Sequence, residues 1–214
     1  MKLIGYLLSG MILAGVGTTF AYEYKSAGFA RSAELEMIRL LSDTSETIDI
    51  PFSLRGKREV FEACAALQSS IMLSIQTSET RSNVAARCLE LAEAALKRNP
   101  TLSAAHVIKA SYEADLSEAA NAITASWETA PRDGWEAQLR LLRGFELQAL
   151  GVTAADRVIE ADIVTLLQSQ SGRVWLAQLY WNDPTVQPAL IRIIETRPDR
   201  EQAAFLTQVR RNAR

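Results

Sequence analysis

A chain of 214 residues is long enough for one domain with a proper core. Its 48% hydrophobic and 22% charged residues exclude a disordered chain, and a formal net charge of -2 leaves no basic surplus for phosphates, which argues against nucleic acid as a partner. Glycine (10) and proline (6) are sparse, while Ala, Leu, Glu, Arg and Gln, which lose little side-chain freedom in a helix, are frequent. The longest strand-like run, Thr47 to Phe52, is short and runs into a proline, so the expected fold class is all-α.

At the N-terminus, Lys2 is followed by Leu3 to Tyr22 without a charge, about 20 residues or roughly 30 Å of helix, enough to cross a hydrocarbon core. A cleaved signal peptide is one reading, with Thr19-Phe20-Ala21 as the small-x-small site. The length of the stretch, and Phe20 and Tyr22 at its end, favour an uncleaved signal anchor over residues 1–22. Leu13-Ala14-Gly15 resembles the start of a lipobox, but Val16 stands where the lipid-bearing cysteine would be. Lys2 and the free amine favour a cytoplasmic N-terminus and place the body outside the cytoplasm, in a bacterial periplasm; Lys25 and Arg31 pull the other way.

Residues 23–41 read as a helical stalk, with Phe29, Ala30, Ala33, Met37 and Leu41 on one face. The Ser, Asp, Thr, Pro and Gly of 42–56 read as a linker, and the folded domain is expected over 57–214. Helices are expected over 57–77, 82–98, 102–115, 117–130, 134–150, 154–169, 173–181, 185–197 and 199–212. Asn99-Pro100, Ala130-Pro131, Gly151, Gly172, Asn182-Asp183-Pro184 and Arg197-Pro198 mark the breaks, with Thr153 and Asp183 as N-caps. Such short connections imply antiparallel neighbours, the pattern of stacked helical hairpins. Cys64 and Cys88 fall on two successive helices. A turn near 78–81 would set Cys88 about a turn out of level with Cys64, so two small buried hydrophobes are favoured over a disulfide. Two cysteines and one histidine cannot build an ordinary four-ligand zinc site.

The prolines carry a repeat. Four residues before Pro100, Pro131 and Pro198 stand Leu96, Trp127 and Ile194; eight before stand Ala92, Ile123 and Leu190; twelve before stand Cys88, Ala119 and Val186. Eight residues after them stand Ile108, Leu139 and Leu206, and the prolines are spaced 31 and 67 apart. The pattern resembles the tetratricopeptide repeat, a helix–turn–helix unit of about 34 residues whose second helix carries a small residue, a bulky one and a closing proline. The first-helix tryptophan position holds Ala105, Glu136 and Ala203, the glycine position holds Lys109, Arg140 and Thr207, and Tyr112 alone keeps the aromatic position. The resemblance covers about half of the soluble part, best over 82–131, with no clear frame over 132–183. It implies a superhelix with a concave groove lined by first helices, to which His106, Lys109, Tyr112 and Glu113 would contribute; the alternative is a generic antiparallel helical bundle in which the prolines serve merely as stops.

No residue stands out as catalytic, cofactor-binding or metal-ligating. His106 is the only histidine, no G-x-S-x-G elbow or G-x-x-x-x-G-K-[ST] loop occurs, and Gly15-Val16-Gly17 lies within the hydrophobic segment. Glu34 with Glu36, Glu90 with Glu93 and Glu160 with Asp162 are carboxylate pairs, of which only Glu90 and Glu93 share a helix face; bases nearby, such as Lys97, suit a solvated surface. The aromatic stretch 174–181, with Trp175, Tyr180 and Trp181 and beside Trp135, suits either a buried helix or a stacking wall for a sugar or peptide. The expected function is a membrane-anchored, extracytoplasmic adaptor that binds protein partners and uses no cofactor. By analogy it serves envelope assembly, polysaccharide export or cytochrome maturation. The alternatives are a structural subunit whose Gly5–Gly17 segment packs on a partner helix, and a glycan-binding or glycan-acting protein using 174–181.

Overall fold

The computed structural model describes residues 21–24, 28–45 and 47–212. The described residues are helical and contain no strand; the run 47–50 is irregular chain. Most of the proposed anchor, residues 1–20, lies outside the described residues, and no described helix is long and apolar enough to cross a membrane. The chain forms two compact units, the first ending at Pro100 and the second beginning at Thr101.

The first unit contains α1 (Glu34–Ser42), α2 (Leu54–Gln68), the single turn α3 (Ile71–Ser74) and α4 (Ser78–Arg98). The continuous helix expected over 23–41 is broken. After the helical residues 21–24 come a turn at Gly28, a 3-10 turn at Phe29–Arg31 and an extended Ala33 (φ -61°, ψ 150°), and α1 starts only at Glu34. Its Ile38 and Leu41 are buried and it packs on α4, so α1 belongs to the first unit. The helix expected over 57–77 is likewise two helices, because Ser70 caps α3 by accepting from the Leu73 amide at 2.8 Å. The segment read as a linker is held down. Ile50 and Pro51 are buried, and Asn83, Arg87 and Arg98 of α4 donate to the Ser42, Asp43 and Ile50 carbonyls at 3.3 Å.

Val60, Phe61, Cys64 and Leu67 of α2 and Val84, Cys88, Leu91, Ala92 and Ala95 of α4 recur at three- and four-residue steps, and all are buried. Cys64 and Cys88 form a disulfide, with Cα atoms 5.9 Å apart. This corrects the expectation of two unlinked hydrophobes. The turn α3 inserted after Gln68 takes up chain between the helices and brings the two cysteines level.

The second unit contains α5 (Ser103–Tyr112), α6 (Leu116–Thr129), α7 (Gly134–Ala149), α8 (Asp156–Leu167), α9 (Gln170–Asn182), a 3-10 turn at Pro184–Val186, α10 (Gln187–Glu195) and α11 (Asp199–Asn212). Asp115, Asp133 and Ser169 cap α6, α7 and α9 by accepting from backbone amides two to three residues on. Gly151, at φ +83°, closes α7 in the left-handed conformation that glycine alone adopts freely; Val152 N–H then bonds the Leu147 carbonyl at 2.9 Å. Thr153 does not cap α8, which begins three residues later at Asp156. Gly172 does not break the chain either. It lies inside α9, where any Cβ would strike the Leu166 carbonyl at the end of α8.

The hairpins α5/α6 and α7/α8 pack internally and on each other, through α5 with α7, α6 with α7 and α6 with α8. Gly144 of α7 lets the Ile159 side chain of α8 come within 2.8 Å of where a Cβ would stand. The order then changes, since α9 packs on α8 and on α11 while the short α10 lies against α8 and α11. Leu141, Ile163, Leu166, Leu176, Leu190 and Phe205 are core residues there. The residues eight and twelve before Pro131 and Pro198, namely Ile123, Ala119, Leu190 and Val186, are all buried, as are Ala92 and Cys88 before Pro100. Of the residues eight after each proline only Ile108 is buried, and Leu206 is 47% exposed.

Candidate binding surface on the second unit

Where α9 starts on the end of α8, an open depression of about 690 Å³ is lined by Gln138 of α7 and by Gln170, Ser171, Val174, Trp175 and Gln178 of α9. Spacing along α9 explains the lining. Residues 170, 171, 174, 175 and 178 form one helix face, while Leu176 and Ala177 turn into the core. Gly172 permits the close seat of α9 on α8, and Ser169 fixes its first turn by accepting from the Gly172 amide at 2.9 Å. Trp175 is half-buried, one side packed against the core, and Gln178 is exposed. The surface therefore offers three primary amides, a hydroxyl and an indole. Amides donate and accept at once and the indole presents a flat apolar face, a chemistry that suits peptide backbone or sugar hydroxyls.

The aromatic stretch 174–181 does not form one wall. Successive residues of a helix turn by about 100°, so its rings leave α9 in different directions. Tyr180 meets Phe205 edge-on at 6.3 Å, and the Trp181 indole N–H donates to the Val209 carbonyl at 2.9 Å, tying α9 to α11. A smaller groove of about 300 Å³ lies there, lined chiefly by Tyr180, Ile191, Ile194, Phe205, Leu206 and Val209. Trp135 does not line the Trp175 depression.

Beneath the surface, α7 carries a buried polar network that spacing alone did not disclose. Arg140 is 1% exposed, and its guanidinium grips Asp162 of α8 with two bonds, Nε to Oδ2 at 2.7 Å and Nη2 to Oδ1 at 2.8 Å. Its Nη1 donates to Ser126 Oγ of α6 at 3.1 Å and lies 3.6 Å from Glu136. Ser103 of α5 donates to the Ser126 carbonyl at 2.7 Å and its hydroxyl also meets the Glu136 carboxylate. Burial pushes the Asp162 carboxyl above the usual aspartate value, against the opposing pull of the Arg140 guanidinium. All five side chains are enclosed, so the network ties α5, α6, α7 and α8 in one register and fixes the stretch of α7 that carries Gln138, between Glu136 and Arg140.

The other residues singled out by sequence are dispersed. His106, Lys109, Tyr112 and Glu113 lie partly buried at one side of α5. Lys109 reaches Glu118 of α6 at 3.6 Å, Glu113 accepts from the Asp115 amide at 3.1 Å, and burial raises the Tyr112 hydroxyl above the usual tyrosine range. The Lys109–Glu118 pair spans the α5/α6 hairpin and the Glu113 bond lies in its turn. Glu90 pairs with Arg87 at 3.0 Å and Glu36 with Arg39 at 2.8 Å, whereas Glu34 bonds Ser70. Glu160 faces outward and Asp162 inward, so that pair does not converge. Among the described residues no group of three or more His, Cys, Asp or Glu is placed to hold a metal ion. No protein-family model matches the chain, and no curated protein and no solved structure is significantly similar to it.

Proposed function

We propose that the chain is a membrane-anchored adaptor whose tetratricopeptide-like hairpins bind a protein partner outside the cytoplasm, through the face of α7 and α9 around Trp175. The depression lined by Gln138, Gln170, Ser171, Trp175 and Gln178 carries this reading, because one indole among amides is a surface for recognising an extended peptide. The stacking of α5 with α7 and of α6 with α7 and α8 supports the repeat reading. The Cys64–Cys88 disulfide supports an oxidising compartment, and the uncharged run Leu3–Tyr22 supports attachment to its membrane.

The test is a photo-crosslinking amino acid placed in turn at Ser171, at Gln178 and, as control, at Ile75 of the full chain in its native membrane. The adaptor reading expects one and the same partner from positions 171 and 178, none from 75, and loss of the product in Trp175→Ala. Equal products at all three positions, or none at 171 and 178, would count against it. A second reading, glycan binding, draws on the same lining, since amides and an indole also suit a pyranose. It expects soluble oligosaccharide to change the tryptophan emission of the wild type and to leave Trp175→Ala unchanged.

A further inference from the structure

The hydrophobic run Leu3–Tyr22 leads directly into a short helical piece, residues 21–24, that is fastened to the start of α2. Glu23 makes the fastening. Its carboxylate accepts from the Phe52 and Ser53 amides at 2.9 and 3.3 Å and bonds the Ser53 hydroxyl, so it is turned towards the protein and holds the residues that lead into α2. Gly56 makes room for it, because a Cβ there would strike Glu23 and come within 2.7 Å of Pro51. Tyr22 stacks on Phe52 at 4.6 Å between ring centroids.

Near this fastening the chain exposes large apolar side chains next to the polar Asp49 and Ser53. Tyr24 is 64% exposed, Phe52 58% and Leu54 67%. Cations stand beside these side chains. The Arg55 side chain is 88% exposed, with Nε 3.1 Å from Glu59, and the Arg98 guanidinium lies 6.0 Å from the Phe52 ring. Exposed aromatic and aliphatic groups flanked by arginine are the chemistry of the zone where lipid headgroups meet acyl chains, with the rings at headgroup level and the cation reaching phosphate. The first unit also exposes Ile71 and Ile75, at 78% and 70%. They follow the far end of α2, about 22 Å along its axis for 15 residues, and the hydrophobic run does not enter there.

We propose that the face formed by Tyr24, Phe52, Leu54 and Arg55 is seated on the bilayer surface, so that the first unit lies on the membrane instead of swinging from it on a tether. The proposal rests on the membrane-anchor reading above. Interfacial groups of this kind sink roughly 5–10 Å into the boundary between headgroups and acyl chains.

The full chain is placed in vesicles of phosphatidylcholine and phosphatidylglycerol, with a bimane label on Leu54→Cys or on Ile75→Cys; both native cysteines are already bridged, so only the introduced thiol reacts. Both positions are exposed, so labelling leaves the core intact. Vesicle flotation and quenching by lipid brominated high on the acyl chain are read on the same sample. The label at position 54 should shift to the blue and lose more than half its emission, while the label at 75 keeps its own. A chain that floats with the label at 54 no more quenched than that at 75 overturns the seated face and leaves the anchor standing. A chain that does not float overturns the anchor and the seated face together.

Discussion

The two units solve one problem, how to fix the register of short helices, with opposite chemistries. In the first unit a covalent bond joins α2 to α4 at Cys64 and Cys88, among buried apolar side chains such as Phe61, Val84 and Leu91. In the second the same task falls to charge, with Arg140, Asp162 and Glu136 enclosed with two serines among four helices. A disulfide acts mainly by restricting the unfolded chain. A buried ion network costs desolvation in the folded state and returns it only if every member stays paired. The first device is therefore sensitive to redox conditions, and the second to any substitution among its members.

The largest effect should come from unpairing the second device. Arg140→Ala leaves Asp162 and Glu136 buried with no cation and should cost about 3–5 kcal/mol, seen as a lowered transition of the second unit. Arg140→Met with Asp162→Leu should lose much less, and equal losses would mean that packing, not charge, governs the site. Next comes reduction of the disulfide, whose cysteines are 24 residues apart; for loops of this size the loss is about 3 kcal/mol. Hydrogen exchange should show it in α2 and α4 and leave α7 and α8 unchanged.

A packing change in the second unit ranks third. Gly172→Ala drives a methyl into the Leu166 carbonyl and should cost about 1–3 kcal/mol in thermal unfolding, with reduced binding at the Trp175 surface. A smaller effect is the pH response, which should have opposite sign in the two units. In the first unit Glu23 lies below the glutamate value of 4.5. Partial burial raises it, but the Ser53 hydroxyl and the Ser53 and Phe52 amides outweigh that. Hydrogen bonds from Arg39 and Arg31 likewise lower Glu36 and Glu59. A lowered group stabilises above its unfolded value, so this contribution fades as the pH falls below 4.5. Asp162 is raised, so its contribution is full below the aspartate value of 3.8 and fades as the pH rises through its higher folded value. Exchange rates followed by unit from neutral to acid pH would check the two signs, and parallel curves would refute them. The smallest effect belongs to the exposed pair Arg58–Glu62, at 2.8 Å, where Glu62→Gln should cost no more than ~0.5 kcal/mol.

Much of the scaffold is legible in the residues. Prolines 100, 131, 184 and 198 stand at or near helix boundaries, and Asp183 caps the turn that follows it by accepting from the Thr185 amide at 3.0 Å. What depended on neighbours in space was not legible. Gly172 looks like a stop until the end of α8 is set against it. The Cys64–Cys88 level could not be judged without α3, whose cap Ser70 sits in a run that reads as continuous helix. Asp162 did leave a signal. It lies three after Ile159, four after Val158 and four before Leu166, on the buried stripe of α8, a position where a carboxylate requires a partner. Arg140, between Ala137 and Leu141 on the buried face of α7, is that partner. For the aromatic stretch, sequence indicated the helix and its ring content, but that Trp181 would bond α11 while Trp175 lined a separate depression depended on where α7 and α11 pack.

The bridge between Cys64 and Cys88 also determines how the first unit responds to proteolysis. The exposed turn around Ile71 and Ile75 lies within the loop that the bridge closes. A protease that cuts there divides the chain without separating its parts, since the piece with α2 and the piece with α4 stay joined through sulfur. A nicked molecule would migrate as intact on a non-reducing gel and as two fragments after reduction.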